Sequence, residues 1–497
     1  MTPETGPTLV NNAGTVEGDD AFELQVYQKI QGDDFIVDWN EPSDAGNPRN
    51  LSKTRKWLIT WTIALYVLTT TFSSSVFSAA AAATATEFET SVQTMVFGGT
   101  SLFMLGFAFG PIVFGPLSER LGRKPPLLAG YILFILSQLP AGAANSTLAT
   151  VFVSRFLQGF FGAAPSAIMS GTMADMWTPK QRGFAMPCAG TFLMVGPVIG
   201  PIVGSAIASS GSLGWRCIFN ATAVACLAVA LVTFPILTET CSPVLLEQRA
   251  RRMRHMTRNW ALRARSEEQE QSFRDVVEGC LARPAKMLFL EPILVLISTY
   301  ISVVFGLMYI FFIAYPMSFA NERHWDQTSA GLPLLSILLG TIIGGAIIIL
   351  TVESKVSPDP ANGRPQENRL LLMMLGSVCL PAGMLLFAGG SSPSVGPTQQ
   401  IMAGVPIGMG IILINMQGMN YIIDCYGPFS NSAISANTFM RSIFASGFPA
   451  FSTMLYSQIS VARATSMLAA IAIVLAPIPF LFYRYGSLVR SKSRWAP

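Results

Sequence analysis

The stretch 115–124, Gly-Pro-Leu-Ser-Glu-Arg-Leu-Gly-Arg-Lys, is a charged turn between two long apolar runs over residues 94–116 and 125–144. Each run is long enough to cross a bilayer, which takes about 20 mostly apolar residues in a helix. Charged side chains cost least outside the hydrocarbon, and basic residues in a short loop mark the cytoplasmic side of a membrane protein. The stretch therefore predicts two membrane helices joined by a cytoplasmic turn.

The composition of the whole chain also indicates a membrane protein. Of its 497 residues, 51% are hydrophobic and only 12% are charged, whereas a soluble globular protein carries roughly 25% charged residues. We predict an all-α membrane protein with two six-helix halves, residues 49–237 and 289–483. Apolar runs of membrane length place its twelve helices, numbered in chain order, at approximately residues 57–78, 94–115, 126–144, 149–172, 184–207, 216–237, 289–314, 329–351, 370–389, 398–422, 435–457 and 464–483.

The basic residues set the orientation of the helices. With both termini in the cytoplasm, the outside loops hold essentially only Arg323 and Arg463, with Arg216 at a helix edge, and the other loop arginines and lysines lie inside. This asymmetry is what the positive-inside rule expects. The remaining segments are then a polar, acidic tail that we expect to be disordered, a basic cytoplasmic loop and a short cytoplasmic tail, over residues 1–48, 238–288 and 484–497.

Missing motifs exclude several functions. No lysine follows a glycine, so the chain lacks the G-x-x-x-x-G-K-[ST] loop that holds nucleotide phosphates, and no H-E-x-x-H zinc motif occurs. We expect neither an enzyme nor a nucleic-acid-binding protein, and we expect no cofactor and no metal. A gradient-driven carrier of small molecules and a channel or receptor-like bundle both remain open.

The charged turn resembles the loop between helices 2 and 3 of the major facilitator superfamily of secondary transporters. It matches the pattern G-x-L-[SA]-[DE]-R-x-G-R-[RK] at every specified position. The resemblance implies two pseudo-symmetric halves that rock against each other to alternate access. It also implies a conformational gate that contacts helix 11 and consists of Gly115, Glu119, Arg120, Gly122, Arg123 and Lys124 together with Asp175.

Small residues recur at four-residue spacing in every third helix. Such ladders let helix backbones approach closely. In the resembled superfamily, helices 2, 5, 8 and 11 form the contact between the halves, so we predict that the ladders lie there, which favours a rocking carrier over a channel. The ladders are Gly106 and Gly110, then Gly196, Gly200 and Gly204, then Gly340 and Gly344, and finally Ser442, Ser446 and Ala450.

Arg155 begins a second motif, Arg-Phe-Leu-Gln-Gly, in predicted helix 4. The run resembles the superfamily pattern R-x-x-Q-G-x-x-x-A, which implies a proton-coupling or cavity-organising role for Arg155. Charges buried in a membrane are costly and usually functional. A structural tether between helices is the alternative.

Helix 5 carries a third motif. It resembles the superfamily's antiporter pattern G-x(5)-G-P-x-x-G, which implies export in exchange for protons. Pro201 stands where glycine is frequent in the family, and a proline there removes a backbone donor and predicts a kinked packing helix. The residues of the motif are Gly190, Gly196, Pro197, Gly200 and Pro201.

Further matches, such as Gly214-Trp215-Arg216 and Arg441-Ser442, resemble the fungal twelve-helix drug:proton antiporters, which include multidrug, polyamine and secondary-metabolite exporters.

The residue that carries the proton is less well defined by the sequence. Proton coupling requires a carboxylate with a perturbed pKa, but the candidate carboxylates lie at helix ends. Asp424 is the best of them, since we expect Arg441 near it across the turn between helices 10 and 11. A gating ion pair is the alternative role.

Polar residues inside the spans are candidates for a substrate cavity. Polar groups in hydrocarbon need partners, so they face protein or water. These candidates are Gln158, Tyr309, Asn415, Gln417 and Asn420.

We therefore predict a proton-coupled secondary transporter that exports small amphipathic organic molecules, such as drugs, toxins or a secondary metabolite. One alternative is an importer of a small nutrient on the same fold, which the helix 5 motif disfavours. The other is a non-transporting membrane sensor, which the short tails disfavour. We expect a monomer with both termini in the cytoplasm, in the plasma membrane or alternatively the vacuolar membrane, with protons, a small molecule and the lipid bilayer as partners.

Overall fold

The computed structural model of the chain describes residues 35–39, 44–209, 214–268, 282–355, 367–490, 493 and 495. These residues form two compact units. The small unit combines the segment up to Asn50 with the part of the central loop that begins at Cys241, and the large unit contains Leu51–Thr240 and the described chain from residue 282 onward.

The large unit is an α-helical bundle. Ten of its described helices are long and apolar enough to cross a membrane, which confirms an all-α membrane fold. They match the predicted helices 1–3, 5–10 and 12, and their bounds are Lys53–Glu87, Val92–Arg120, Lys124–Gly142, Gln181–Ala208, Arg216–Thr233, Pro292–Asn321, Thr328–Thr351, Leu370–Gly390, Pro397–Tyr426 and Val461–Gly486.

Two more segments stand where helices 4 and 11 are predicted, in agreement with a count of twelve. Helix 4 consists of Leu148–Gly162 and Ala164–Met176, so it is divided at Ala163. Helix 11 is Ser430–Gln458, and it is rich in serine, threonine and asparagine. A short helix, Arg283–Leu290, precedes helix 7.

The small-residue ladders of helices 2, 5 and 8 lie within their own halves, so the prediction that these three ladders form the contact between the halves is wrong. A Cβ on Gly106 would strike the backbone of helix 4, one on Gly200 the backbone of helix 1, and one on Gly340 the backbone of helix 10. Helix 11 packs both against helix 7 of its own half and against helix 2 of the other half. A four-residue repeat marks a face that admits a close neighbour, but it does not identify that neighbour.

Helices 2, 5, 8 and 11 do meet across the halves, helix 2 with helix 11 and helix 5 with helix 8. Between helices 5 and 8, residues outside the ladders make contacts. Gly345 faces Thr191, and a Cβ on this glycine would lie 3.0 Å from the threonine Oγ1. At one end of the same pair of helices, a Cβ on Gly331 would lie 2.8 Å from the Ser205 Oγ.

The small unit is held together by one strand pair, one helix and a buried ion pair. Strand β1, Ile36–Val37, pairs in parallel with strand β2, Arg263–Ala264, and the loop helix Ser242–Thr257 packs beside them. Arg249 on this helix donates to a carboxylate oxygen of Asp44 at 2.7 Å.

This arrangement corrects the predicted disorder of residues 1–48, because residues 35–39 and 44–48 are ordered within that stretch. Residues 1–34 and 40–43 lie outside the described part of the chain, as do residues 269–281 of the central loop. The loop is further ordered by Glu267. Burial acts to raise the pKa of Glu267, but hydrogen bonds from Arg254 and from the Ala264 amide outweigh it and lower that pKa.

Candidate functional site

The charged turn is built around the carboxylate of Glu239, which follows helix 6. Its two oxygens accept hydrogen bonds from the backbone amides of Arg123 at 2.8 Å and Lys124 at 3.1 Å. These amides are at the start of helix 3, where backbone donors lack partners within the helix and the helix dipole favours an anion. Gly122 has a φ of 93°, and a Cβ there would collide with Glu239. Both its conformation and its neighbour therefore require glycine at this position.

Arg123 makes the predicted contact with Asp175. Its Nε donates to Asp175 at 2.9 Å, and its Nη1 donates to the Ser118 hydroxyl at 2.9 Å. The guanidinium lies against Gly171, where a Cβ would come within 2.6 Å of its Cζ. The Arg123–Asp175 pair joins the turn to the end of helix 4. The sequence pattern does not distinguish Arg123 from the nearby Arg120, which is exposed at the end of helix 2.

The turn also contacts helix 11, as predicted. Asn431 donates its amide to Glu119 at 3.3 Å, across the two halves. Lys124 lies over the ring of Phe234, the residue that follows helix 6, at 5.4 Å from the ring centroid. Gly115 has open space around it, since a Cβ there would meet nothing within 4 Å.

Arg155 is fully buried and ties helix 4 to helices 1 and 2. It donates to the backbone carbonyls of Gly99, Ser73 and Ser74 and to the side chain of Gln158. Gln158 in turn donates to the Ser137 carbonyl at 3.2 Å. Both side chains are thus satisfied by protein, which is the arrangement of a tether between helices.

The helix 5 motif packs against helix 1. Because Pro201 has no N–H, the carbonyl of Pro197 one turn earlier loses its helical donor. The Ser75 hydroxyl of helix 1 supplies the missing bond, at 2.7 Å from that carbonyl. Gly196 and Gly200 allow this approach, since side chains there would collide with helix 1.

A cavity lies between the two halves on the side of the charged turn. Both halves contribute to its wall: helices 2, 4 and 5 from the first and helices 10 and 11 from the second. Its volume is about 1020 Å³, including the part open to solvent. Its lining is mainly apolar and contains the thioethers of Met169, Met186, Met416 and Met419, together with Gly190, Asn420 and Arg441.

Of the five predicted cavity residues, only Asn420 lines this cavity. Asn415 and Gln417 are buried in helix 10, and each has a side-chain oxygen without a hydrogen-bond partner in the described structure. Tyr309 is buried in helix 7, and its hydroxyl shares a hydrogen bond of 2.8 Å with the Ser74 hydroxyl of the other half.

Asp424 does not pair with Arg441, which corrects the expected contact. Asp424 accepts a hydrogen bond from Arg369 at 3.1 Å. The reason is depth along the bundle: Asp424 is near the end of helix 10, whereas Arg441 is eleven residues into helix 11, about 16 Å along its axis at 1.5 Å per residue.

Sequence reasoning missed the roles of Glu239, Ser74 and Arg369. The start of helix 3 carries amides that need an acceptor, which was a signal for Glu239, but nothing in the sequence tells which of the helix-end carboxylates supplies it. Among the described residues, no group of three His, Cys, Asp or Glu side chains is placed to hold a metal ion.

Comparison with known proteins gives a consistent result. The family model of the Major Facilitator Superfamily matches residues 63–449. The chain is 56% identical to the cercosporin MFS transporter of Cercospora nicotianae, covering 96% of this chain and 93% of that protein. It is 43% identical to the citrinin biosynthesis cluster MFS transporter of Monascus ruber, covering 94% and 93%.

More distant similarity extends to other members. The chain is 36% identical to a major facilitator superfamily multidrug transporter of Candida albicans, over 93% of this chain and 76% of that protein. Among solved structures, the xylose transporter XylE of E. coli in a partially occluded inward-open conformation aligns with a TM-score of 0.63 and 14% identity, covering 87% of this chain and 98% of that one. This last likeness concerns the fold.

Proposed function

Because this chain belongs to the major facilitator superfamily, we propose that it exports small amphipathic organic molecules, of the kind made as fungal secondary metabolites, in exchange for protons. The chain is a multi-pass membrane transporter and not an enzyme. The observation that carries the proposal is the mainly apolar cavity between the two halves, which suits an organic molecule rather than a small polar nutrient.

The gate of the proposed cycle is the charged turn. Arg123 with Asp175 fixes the turn to helix 4, and Glu119 with Asn431 connects it to the other half. When the halves rock, the Arg123–Asp175 contact would stay intact because it lies within one half. The Glu119–Asn431 contact, which joins the two halves, would break and form again. The Asp424–Arg369 pair, at 3.1 Å within the second half, serves in this scheme as a gating ion pair.

Arg155 acts in this proposal as the organiser of the first half rather than as the proton carrier. Its donors are bound to carbonyl oxygens of helices 1 and 2, and helix 1 in turn packs against helix 5. We further propose that the protein works as a monomer in the plasma membrane with both termini in the cytoplasm, in line with the basic residues of its inner loops.

The test uses inside-out membrane vesicles from cells that express the full chain, with rhodamine 123 and fluorescein as probes. An imposed pH difference, acidic inside, is expected to drive accumulation of at least one dye without ATP, and an uncoupler is expected to abolish it. Vesicles from cells with the Arg123→Ala variant serve as the inactive control. Accumulation that needs ATP and survives the uncoupler would refute the proton-coupled mechanism, and no accumulation of either dye would refute export of amphipathic organic molecules in the form proposed.

A further inference from the structure

Arg441 is a buried arginine in the wall of the cavity between the two halves. Its surroundings contain few groups that can accept a hydrogen bond from its guanidinium. It is only 2% exposed, and its Nε has no hydrogen-bond partner. Within the described structure, its Nη1 reaches only the Met419 sulfur, at 3.8 Å. The guanidinium also lies over the Phe305 ring, at 4.6 Å from the centroid. A guanidinium has five N–H donors, and none of those of Arg441 meets an oxygen here.

No carboxylate among the described residues neutralises this charge. Among the described residues, the ion pairs of the large unit involve other arginines, and none of its carboxylates lies within ion-pair distance of Arg441. The Tyr309 hydroxyl interacts electrostatically with both Arg441 and Arg155. Leaving a charge buried without partners is costly, so such a group in a membrane protein is expected to have a ligand.

Arg441 and Arg155 differ in their hydrogen-bond partners. Both arginines are buried in the bundle, but Arg155 donates to three carbonyls and to one amide oxygen, so protein atoms already satisfy it. Arg441 is the one of the two that lines the cavity. Its open donors are therefore available to a molecule inside the cavity.

A second buried polar group lies one helical turn from Arg441. Asn437 is 0% exposed, and neither its amide nitrogen nor its amide oxygen has a hydrogen-bond partner in the described structure. Residues four apart lie on the same face of a helix, so helix 11 presents a guanidinium and an amide on one side. The cavity wall around Arg441 is otherwise rich in methionine, which suits an apolar body of variable shape.

We propose that Arg441 is the anion-binding residue of the transport cavity and that the cargo is an amphipathic organic acid, an aromatic or aliphatic body with one carboxylate or acidic phenol. Arginine binds such planar oxyanions with two parallel hydrogen bonds, and the ligand's charge replaces the carboxylate that none of the described residues provides. This assignment rests on the proposed export function and specifies the class of its substrate.

The test measures binding to the purified full-length protein in lipid nanodiscs. Fluorescein and rhodamine 123 share a three-ring skeleton, but the first is an anion and the second a cation at neutral pH, so their relative affinity reports on charge. We expect fluorescein to bind more tightly than rhodamine 123, and Arg441→Gln to weaken fluorescein binding by about tenfold or more with little effect on rhodamine 123. Arg441→Lys is expected to keep part of the preference, because it keeps the charge and loses the paired donors.

The matched control is Arg463→Gln, which removes an exposed arginine at the start of helix 12 and is expected to bind both dyes like the wild type. Equal affinity of the wild type for the two dyes, a preference that survives Arg441→Gln, or no binding of either dye would each overturn the inference. A gel-filtration profile equal to that of the wild type shows that the variants are folded. Efflux from intact cells separates the proposed export function from the proposed anion site. If dye binding depends on Arg441 but no dye is exported, export is rejected and the anion site is supported. If rhodamine 123 is exported and binding shows no preference for the anion, export is supported and the anion site is rejected.

Discussion

Ser74 of helix 1 and Tyr309 of helix 7 share a hydrogen bond of 2.8 Å that joins the two six-helix halves. The backbone carbonyl of the same serine accepts a hydrogen bond from Arg155 at 3.1 Å. Ser74 therefore connects the tether inside the first half to the contact between the halves. Both side chains are buried, so a rocking motion that separates them must offer their hydroxyls other partners.

Tyr309→Phe is expected to change the balance between conformations while the fold remains intact. A net hydrogen bond contributes about 1 kcal/mol, so its loss shifts a two-state equilibrium by roughly fivefold. The measurement is the initial efflux rate together with the melting temperature in detergent.

Tyr300→Phe is the matched control, because this buried tyrosine of helix 7 interacts with Ser377 within the second half. A double variant, Ser74→Ala with Tyr309→Phe, should be no more impaired than either single variant if the two act only through their shared bond. Fully additive effects would contradict this role.

Arg123→Ala is expected to abolish transport, whereas Arg120→Ala should have a much smaller effect. The two residues belong to the same charged turn, but Arg123 pairs with Asp175 at 2.9 Å and Arg120 is exposed. Surface ion pairs contribute little and partly buried ones contribute more. The measurement is the efflux rate of the two variants at matched surface expression. An equal loss of efflux in both would show that transport depends on the total charge of the turn and not on the Arg123–Asp175 ion pair.

Glu239→Ala is expected to destabilise the protein by about 1–2 kcal/mol, the usual cost of losing a helix N-terminal cap. The carboxylate binds two amides at the start of helix 3. Glu239→Gln keeps one acceptor oxygen and should fall between the wild type and the alanine variant. The measurement is the melting temperature of the purified protein, and an unchanged value in the alanine variant would argue against a capping role.

Gly200→Leu is expected to lower the yield of folded protein, because its face of helix 5 packs on the backbone of helix 1. Overpacking a close interface costs about 1–3 kcal/mol or more. The adjacent Ile199→Leu conserves volume and should be nearly silent. Folded yield by fluorescence-detected gel filtration compares the two, and similar damage by both would mean that the glycine face is not what limits packing.

Gly345→Leu provides the comparison across the halves. This glycine of helix 8 faces Thr191 of helix 5, and a Cβ at its position would lie 3.0 Å from the threonine Oγ1. The two halves must separate and rejoin here, so we expect the variant to fold with a near-normal yield and to transport poorly. A normal efflux rate in this variant would contradict a functional contact at this point.

The sequence by itself determined the membrane helices and the charged turn that joins helices 2 and 3. These features are local: hydropathy over about 20 residues defines a span, and a turn such as 115–124 carries its pattern within ten residues. The contact between that turn and Asp175 was also predicted, although the arginine that makes it was not.

Only the tertiary structure decided which residues far apart in the chain meet. The glycine ladders predict that another helix comes close to them. Only the arrangement of the helices decides whether Gly200 contacts helix 1 of its own half or a helix of the other half. Asp424 lies seventeen residues from Arg441 in the chain and pairs instead with Arg369, fifty-five residues away. That no oxygen of the described residues binds the Arg441 guanidinium is likewise visible only in three dimensions, because it depends on every neighbouring element and not on the residue itself.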